Sequence, residues 1–240
     1  MAEYFICELS EKDKNIIKQI NIEKDFDPFT NFHSPWKSFD ENAYEYIYKS
    51  ILKVSSNNSV ELAIKCAKII NKILDQSIER LSKNMNIKNF NKIIWLRYRT
   101  VNNNYDEPRW HIDGNYNINN MTIEKIKNQK KIIISLIGPG TLILDCEKEI
   151  NEEIDNKLLE LYETYPRYDK HDNLNIENAK KINDEISNYL DSCHIKKLEN
   201  FNGVIYNIGR YHKKQMDSSI HSEPKFDKPR LFLGLVLNEI

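Results

Sequence analysis

The sequence predicts an α+β fold, with helices first and then a run of short strands that suits a barrel or jelly roll. Three observations support this prediction. Apolar residues recur at helical spacing up to about residue 84, strand-like segments begin at residue 92, and a charged helical stretch interrupts them at about 147–200. Because the strands do not alternate with helices, an antiparallel sheet is favoured over a doubly wound one.

Two helices are predicted in the N-terminal part. Residues 39–54 place Tyr44, Ile47 and Ile51 on one face. The polar stretch SSNN at 55–58 ends this helix, and Ser59 is a suitable N-cap for a second helix that runs to about residue 84. The apolar stripe of the second helix is expected to pack against the outer face of the barrel.

The predicted strands follow, separated by turn residues. They are KIIWLRYRT (92–100), KKIIISL (130–136), TLILD (141–145), GVIYNIG (203–209), SSIHSE (218–223) and RLFLGLVLN (230–238). We therefore predict a single domain over residues 1–240. Residues 1–90 form a mainly helical support, and residues 91–240 form the core with its helical insertion.

The bulk properties make several classes of protein less favoured. The formal net charge is −1, which gives no reason to expect a long nucleic-acid footprint. The four cysteines are widely spaced, without a zinc-ribbon pattern, and are expected to be reduced. No 18-residue apolar stretch and no secretory signal peptide are recognised. We expect a soluble, intracellular (cytoplasmic) protein with no membrane contact and no obligate partner.

A candidate metal site begins at RWHIDGNYN, residues 109–117. In a strand, His111 and Asp113 point to the same side. On their own, they equally fit a strand histidine that is hydrogen-bonded to a nearby acid. His221 follows in another strand-like segment, and two histidines with one carboxylate form the facial triad that holds non-haem Fe(II). Arg230, nine residues later, offers a planar bidentate partner for a carboxylate.

Some neighbouring residues leave alternatives open. His212 competes with His221 as the distal histidine, although the step of nine residues to Arg230 favours His221. Tyr98 suits either a buried core position or a ligand contact. By alternation, Arg97 and Arg99 face away from Tyr98, towards solvent or helices.

Taken in order, these elements resemble the Fe(II)/2-oxoglutarate-dependent dioxygenase superfamily. A strand with Tyr98 precedes His111-x-Asp113, then come GPGTLIL and FNGVIYNIG, and finally His221 and Arg230 in HSEPKFDKPR. The resemblance covers roughly residues 91–240. One branch, which repairs alkylated nucleic-acid bases, carries a second arginine six residues after the first. Val236 stands there in this chain, which counts against that branch.

The resemblance implies a double-stranded β-helix in which His111, Asp113 and His221 bind iron. It further implies that Arg230, assisted by the Tyr98 hydroxyl, binds the distal carboxylate of 2-oxoglutarate. The family uses O2 to convert 2-oxoglutarate to succinate and CO2, coupled to hydroxylation of a substrate or to demethylation, with ascorbate as a possible reductant. The sequence does not identify the substrate. A protein side chain or a small molecule is favoured over a nucleic acid because the chain is nearly neutral.

Two other functions stay open at this stage. A cupin-like metalloenzyme would use the same triad without 2-oxoglutarate, and Arg230 would then be dispensable. A non-catalytic barrel would bind a metal or ligand without forming succinate. The insertion at 147–200 lies between barrel strands, so it is a candidate lid or substrate-recognition element.

Overall fold

In the computed structural model, the chain forms two larger antiparallel sheets, one separate pair of strands and five helices over the residues that the structure describes. These are residues 2–27, 29–33, 41–85, 90–101, 110–113, 129–166, 175–190, 194–211, 214–215, 218–224 and 227–239. Within these ranges, no helix has the length and apolar character needed to cross a membrane.

Three helices lie in the N-terminal part: α1 (Glu11–Ile17), α2 (Glu41–Val54) and α3 (Val60–Met85). α2 and α3 confirm the two predicted helices to within a few residues. The hydroxyl of Ser59 accepts a hydrogen bond of 3.1 Å from the backbone N–H of Leu62, as expected of an N-cap.

The larger sheet has six strands in the order β1-β7-β4-β11-β3-β2, and every neighbouring pair is antiparallel. Its strands are β1 (Glu3–Ile6), β2 (Phe29–His33), β3 (Phe90–Arg99), β4 (Lys130–Ile137), β7 (Asn202–Asn207) and β11 (Arg230–Glu239). The pairing of β11 with β3 spans all ten residues of both strands, from Arg230 opposite Arg99 to Glu239 opposite Phe90.

The smaller sheet has three strands in the order β10-β5-β6, namely β10 (His221–Ser222), β5 (Leu142–Leu144) and β6 (Ile195–Lys197). A β-bridge between His111 and His221 adds one more chain segment beside β10. A separate pair, β8 (Arg210–Tyr211) with β9 (Lys214–Gln215), follows β7. Two helices, α4 (Lys148–Thr164) and α5 (Ile176–Leu190), form the predicted helical insertion between β5 and β6.

The antiparallel mixture of helices and strands confirms the predicted class, but the described strands do not close into a barrel. The larger sheet is open, with β1 and β2 at its two edges. These edge strands were not predicted, because segments of four and five residues are too short to show a clear alternation. The N-terminal part therefore contributes to the sheet as well as to the helices beside it.

The core has three parts, divided by the two faces of the larger sheet. One face packs against α1, α2 and α3 through residues such as Ile94, Leu233 and Leu235. The other face meets the smaller sheet through residues that include Ile143, Val204 and Phe232. A third cluster joins the smaller sheet to α4 and α5. The predicted packing of N-terminal helices on one sheet face is confirmed. The residues described next lie where the two sheets face each other.

Candidate metal centre

Backbone pairing brings the two histidines together from segments 110 residues apart. His111 and His221 lie opposite each other in an antiparallel bridge, with N–H···O distances of 2.9 and 3.0 Å in the two directions. Directly paired residues in antiparallel strands present their side chains to the same face. The two imidazole rings accordingly lie 4.3 Å apart between centroids. The structure thus joins the predicted pair His111 and Asp113 to His221.

The three side chains form a compact set of potential metal ligands. One ligand atom from each of His111, Asp113 and His221 can be chosen so that all three lie within 4.8 Å of one another. His221 Nε2 is 3.2 Å from Asp113 Oδ2, and His111 Nε2 is 3.9 Å from Asp113 Oδ1. Two imidazoles and a carboxylate that converge in this way are the donor set of a facial triad.

Two further side chains, which the sequence interpretation missed, contact the carboxylate of Asp113. The ammonium of Lys131 donates to Asp113 Oδ2 at 2.6 Å, and the hydroxyl of Tyr206 donates to the same oxygen at 3.1 Å. The Tyr206 hydroxyl also lies 3.4 Å from His221 Nε2. Lys131 and Tyr206 are directly opposite each other on β4 and β7.

The charge of Lys131 controls the ionisation of Asp113. Burial by itself raises the pKa of a carboxyl group, and Asp113 is only 9% exposed. Lys131, together with His221, outweighs this effect and holds the pKa of Asp113 well below its usual range. The carboxylate is therefore negatively charged, as a metal ligand must be.

The sequence did contain a signal for Lys131. The segment KKIIISL is apolar on both faces, so one of its two adjacent lysines must point into the protein. Lys131 is that residue, with 2% of its surface exposed. Tyr206 had no comparable signal, because a tyrosine on a strand is usually a core residue.

Arg230 also lies between the two sheets and is completely buried. Its Nη2 donates to the hydroxyl of Thr141 at 2.7 Å, and its guanidinium lies 4.6 Å from the ring centroid of Phe232. Its Nε and Nη1 find no hydrogen-bond partner among the described residues. Burial lowers the pKa of Arg230 to about 10. A buried guanidinium with two unused donors is suited to receive an anion.

Tyr98 lies on the opposite face of the larger sheet from Arg230. It pairs with Leu231, packs among the residues that contact the N-terminal helices, and places its hydroxyl 2.8 Å from the hydroxyl of Ser50 in α2. Burial raises the pKa of this tyrosine. The expectation that Tyr98 assists Arg230 does not fit this placement, because the sheet separates the two side chains. The sequence showed that Tyr98 lies on the opposite face of the strand from Arg97 and Arg99. It did not show which of these two faces is directed towards the site.

Arg97 and Arg99 are on the side of the sheet that holds Arg230. Arg99 pairs directly with Arg230, and Arg97 pairs with Phe232. Arg97 forms ion pairs with Glu223 and with Asp27, and Arg99 contacts Asp27 at 3.0 Å. Both arginines face away from Tyr98, as predicted. However, the face on which they lie is the one that carries the candidate site, and it is not directed towards solvent or the helices. Their carboxylate partners neutralise both.

The insertion helices pack against the outer side of the segments that carry the histidines. Trp110 and Ile220, the residues before His111 and His221, are buried with Leu158 of α4 and Ile186 of α5. The hydroxyl of Tyr162 donates to the backbone carbonyl of Trp110 at 2.8 Å. The described part of the insertion therefore supports the two histidine segments from behind. Residues 167–174 and 191–193 lie outside the described residues, as does His212, the competing distal histidine.

The donor set and the buried cation fit the groups that the sequence suggested. His111, Asp113 and His221 supply two nitrogens and one oxygen from one side, which leaves other coordination positions for small ligands. Arg230 has two buried donor nitrogens, Nε and Nη1, without a partner among the described residues, and a carboxylate would satisfy them. The residues present therefore fit both a divalent metal and a carboxylate ligand.

Comparisons with known proteins find structural likeness only. No protein-family model matches the chain, and no curated protein matches it. Among solved structures, a viral collagen prolyl hydroxylase from Paramecium bursaria Chlorella virus 1 is 10% identical, with a TM-score of 0.43, over 100% of this chain and 90% of the other. A prolyl-4-hydroxylase from Pseudomonas putida is 8% identical, with a TM-score of 0.38, over 100% and 92%. Both scores are below 0.5, so the geometry of the site carries the functional argument.

Proposed function

We propose that this protein is an Fe(II)- and 2-oxoglutarate-dependent oxygenase that hydroxylates its substrate, or demethylates it through hydroxylation. The observation that carries the proposal is the convergence of His111, Asp113 and His221 between the two sheets, where the buried, incompletely hydrogen-bonded Arg230 also lies. A metal triad alone suits many reactions. The additional buried cation points to a co-substrate with a carboxylate.

In this proposal, His111, Asp113 and His221 hold the iron, and Arg230 binds the distal carboxylate of 2-oxoglutarate. Bound iron would supply the activation of O2, with oxidation of 2-oxoglutarate to succinate and CO2. Thr141 fixes one nitrogen of the Arg230 guanidinium, so that Nε and Nη1 remain for the ligand. Asp113, His221 and Arg230 are buried between the two sheets, which restricts the access of water to the reacting atoms.

The strand order supports a double-stranded β-helix as the detailed fold. From β3 onwards, the chain passes between the two sheets: β3 and β4 are in the larger sheet, and His111 between them pairs with the smaller one. β5 and β6 belong to the smaller sheet, β7 to the larger, β10 to the smaller and β11 to the larger. The region at 91–240 would then be the catalytic core, and residues 1–90 its support.

We propose a protein side chain or a small molecule as the substrate, in preference to a nucleic acid, since the net charge is −1. O2 completes the set of reactants, and ascorbate would keep the iron reduced in an assay. The proposed setting is the cytoplasm, where cysteines stay reduced.

The test is succinate formation from 2-oxoglutarate by the purified protein with Fe(II), ascorbate and no added substrate. His111→Ala is the control, because Asp113 also neutralises Lys131 and its removal would leave a buried unpaired charge. We expect slow succinate formation that the variant abolishes, and anaerobic Fe(II) binding that the variant loses.

Other outcomes would identify the rival functions. Oxidation of a substrate with no need for 2-oxoglutarate, unchanged by Arg230→Met, would indicate a cupin-like metalloenzyme. Binding of Fe(II) and 2-oxoglutarate without succinate, with or without candidate substrates, would indicate a binding protein. Failure of the wild-type protein to bind Fe(II) would contradict the proposed function.

A further inference from the structure

Lys131 is the second buried cation of the site, and it is only partly used by the protein. Its ammonium has three N–H donors. One donates to Asp113 Oδ2 at 2.6 Å, and the part of the chain that the structure describes offers no acceptor to the other two. Only 2% of the residue is exposed, so water is largely excluded. Buried donors of this kind are rarely left unsatisfied.

The charge balance of the site leaves two cations for a ligand. Arg97 and Arg99 are neutralised by Glu223 and Asp27. Asp113 would share its negative charge between Lys131 and a bound metal. Lys131 and Arg230 therefore remain as positive charges without a full counter-charge, which favours a ligand with two anionic groups.

Lys131 and Arg230 lie on one face of the larger sheet and lean towards the space between them. Lys131 is directly opposite Val236, which is six residues after Arg230 on β11. The ammonium of Lys131 lies 4.9 Å from the ring centroid of Trp95, and the guanidinium of Arg230 lies 4.6 Å from that of Phe232. These two rings contact each other edge to face, with centroids 6.0 Å apart.

One position on the sheet face between the two cations has no side chain. Gly234 comes between Phe232 and Val236 on the same face of β11 and lies opposite Trp95. A methyl group at this position would be 3.6 Å or more from every neighbouring atom, which is ordinary van der Waals contact. The guanidinium of Arg97 lies 4.1 Å from the ring centroid of Trp95 and 5.3 Å from that of Phe232. The short carbon chain of a diacid would therefore lie over Gly234, with the Arg97 guanidinium beside it.

We propose that Lys131 binds the carboxylate that lies next to the metal, so that Lys131 and Arg230 hold the two ends of one dicarboxylate. This inference rests on the proposed function and deepens it, because it names Lys131 of β4 as the residue that binds the metal-side carboxylate of a 2-oxo diacid. Lys131 donates to Asp113 and to the ligand at the same time. It thereby links the metal-binding carboxylate to the co-substrate.

The experiment compares two 2-oxo acids at a saturating concentration of Co(II), which replaces Fe(II) without turnover. The dissociation constants of 2-oxoglutarate and of 2-oxobutyrate, which lacks the distal carboxylate, are measured for the wild-type protein and for Lys131→Met. The dissociation constant of Co(II) alone is measured for both proteins. Lys130→Met is the matched control, because Lys130 is adjacent in sequence but contacts Asn207 and lies outside the site.

We expect Lys131→Met to weaken the binding of both 2-oxo acids by a similar factor, on the order of ten- to a hundredfold, as for the loss of a charge-assisted hydrogen bond. The preference for 2-oxoglutarate over 2-oxobutyrate should persist, since Arg230 provides it. Lys130→Met should change neither constant. Lys131→Gln, whose amide can still donate to Asp113, serves as the neutral variant if Lys131→Met does not fold.

Three results would overturn the inference. Both 2-oxo acids could bind Lys131→Met as tightly as they bind the wild type. Only Co(II) could bind more weakly, which would make Lys131 a positioning residue for Asp113. Only 2-oxoglutarate could be affected, which would place Lys131 at the distal carboxylate. If the wild-type protein binds neither Co(II) nor 2-oxoglutarate, the proposed function itself fails, and this result is distinct from the other three.

A second variant tests whether the ligand chain lies over Gly234, without removing a charge. Gly234→Ala should leave folding and Co(II) affinity unchanged, because the added methyl group meets no protein atom closer than 3.6 Å. The same methyl group should weaken 2-oxoglutarate binding several-fold, because it would occupy the position proposed for the carbon chain of 2-oxoglutarate. Unchanged 2-oxoglutarate affinity in this variant would contradict the path between Lys131 and Arg230.

Discussion

The two faces of the larger sheet are made by the same strands but have opposite character. Along β11, Leu231, Leu233, Leu235 and Leu237 pack against the N-terminal helices. The alternate residues Arg230, Phe232, Gly234 and Val236 face the smaller sheet. The first set is uniformly apolar, whereas the second set contains a buried cation and a position without a side chain.

This difference separates stability from binding within single strands. Apolar side chains in the helix-facing set contribute free energy of folding by leaving water. On the other face, Arg230 and Lys131 are buried with unused donors, which costs free energy in the unliganded protein. Sites that break the rules of a well-packed core are commonly functional ones. Substitutions on the two faces should therefore affect different measured quantities.

The largest effect is expected on the helix-facing side. Leu233 is 1% exposed in the middle of β11, and Leu233→Ala should lower the free energy of unfolding by about 2–5 kcal/mol through lost burial and a residual cavity. Urea unfolding measures this change. The affinity of the folded variant for Co(II) and 2-oxoglutarate should match the wild type. A loss of ligand affinity at a temperature where the variant is folded would show that the two faces are coupled.

The next effect is expected at Arg230, with the opposite pattern. Arg230→Met keeps the approximate volume but removes the cation, so 2-oxoglutarate should bind roughly ten- to a hundredfold more weakly. The free energy of unfolding should stay the same or rise, because two unsatisfied buried donors disappear. Titration with 2-oxoglutarate and urea unfolding measure the two quantities. Marked destabilisation with unchanged affinity would make Arg230 a structural residue.

The features that the sequence could predict are those set by the spacing of residues within strands. His111-x-Asp113, His221 and Arg230 were recognisable because their spacing is set by strands that the apolar pattern already defined. Alternation also separated Tyr98 from Arg97 and Arg99. The sequence could not decide which of these two sets faces the site, because that depends on the side of the sheet on which α1, α2 and α3 pack. Tertiary packing determines which face is directed towards the site. Tyr98, which was expected near Arg230, faces the helices, and Arg97, which was expected at solvent or the helices, faces the site.

Lys131 and Tyr206 show a second limit. Each stands on its own strand, 75 residues apart, and they become neighbours only through the pairing of β4 with β7. One lysine in KKIIISL had to be buried, but its carboxylate partner could not be read from local sequence. The short strands β1 and β2 escaped prediction for a related reason, since their pairing partners are distant in sequence.

The smallest effect should distinguish two buried tyrosines on opposite faces of the larger sheet. Tyr98→Phe removes the hydrogen bond to Ser50, and we expect it to lower the free energy of unfolding by about 0.5–1.5 kcal/mol without changing Co(II) affinity. Tyr206→Phe removes a donor to Asp113 Oδ2, and it should weaken Co(II) binding because outer partners orient a metal-binding carboxylate. Each variant is the control for the other, as each loses one hydroxyl from a buried strand position. Equal effects of the two variants on Co(II) affinity would mean that the face of the sheet does not determine the role of the residue. Weaker Co(II) binding in Tyr206→Phe alone would locate the metal on the side of the sheet that carries Arg230.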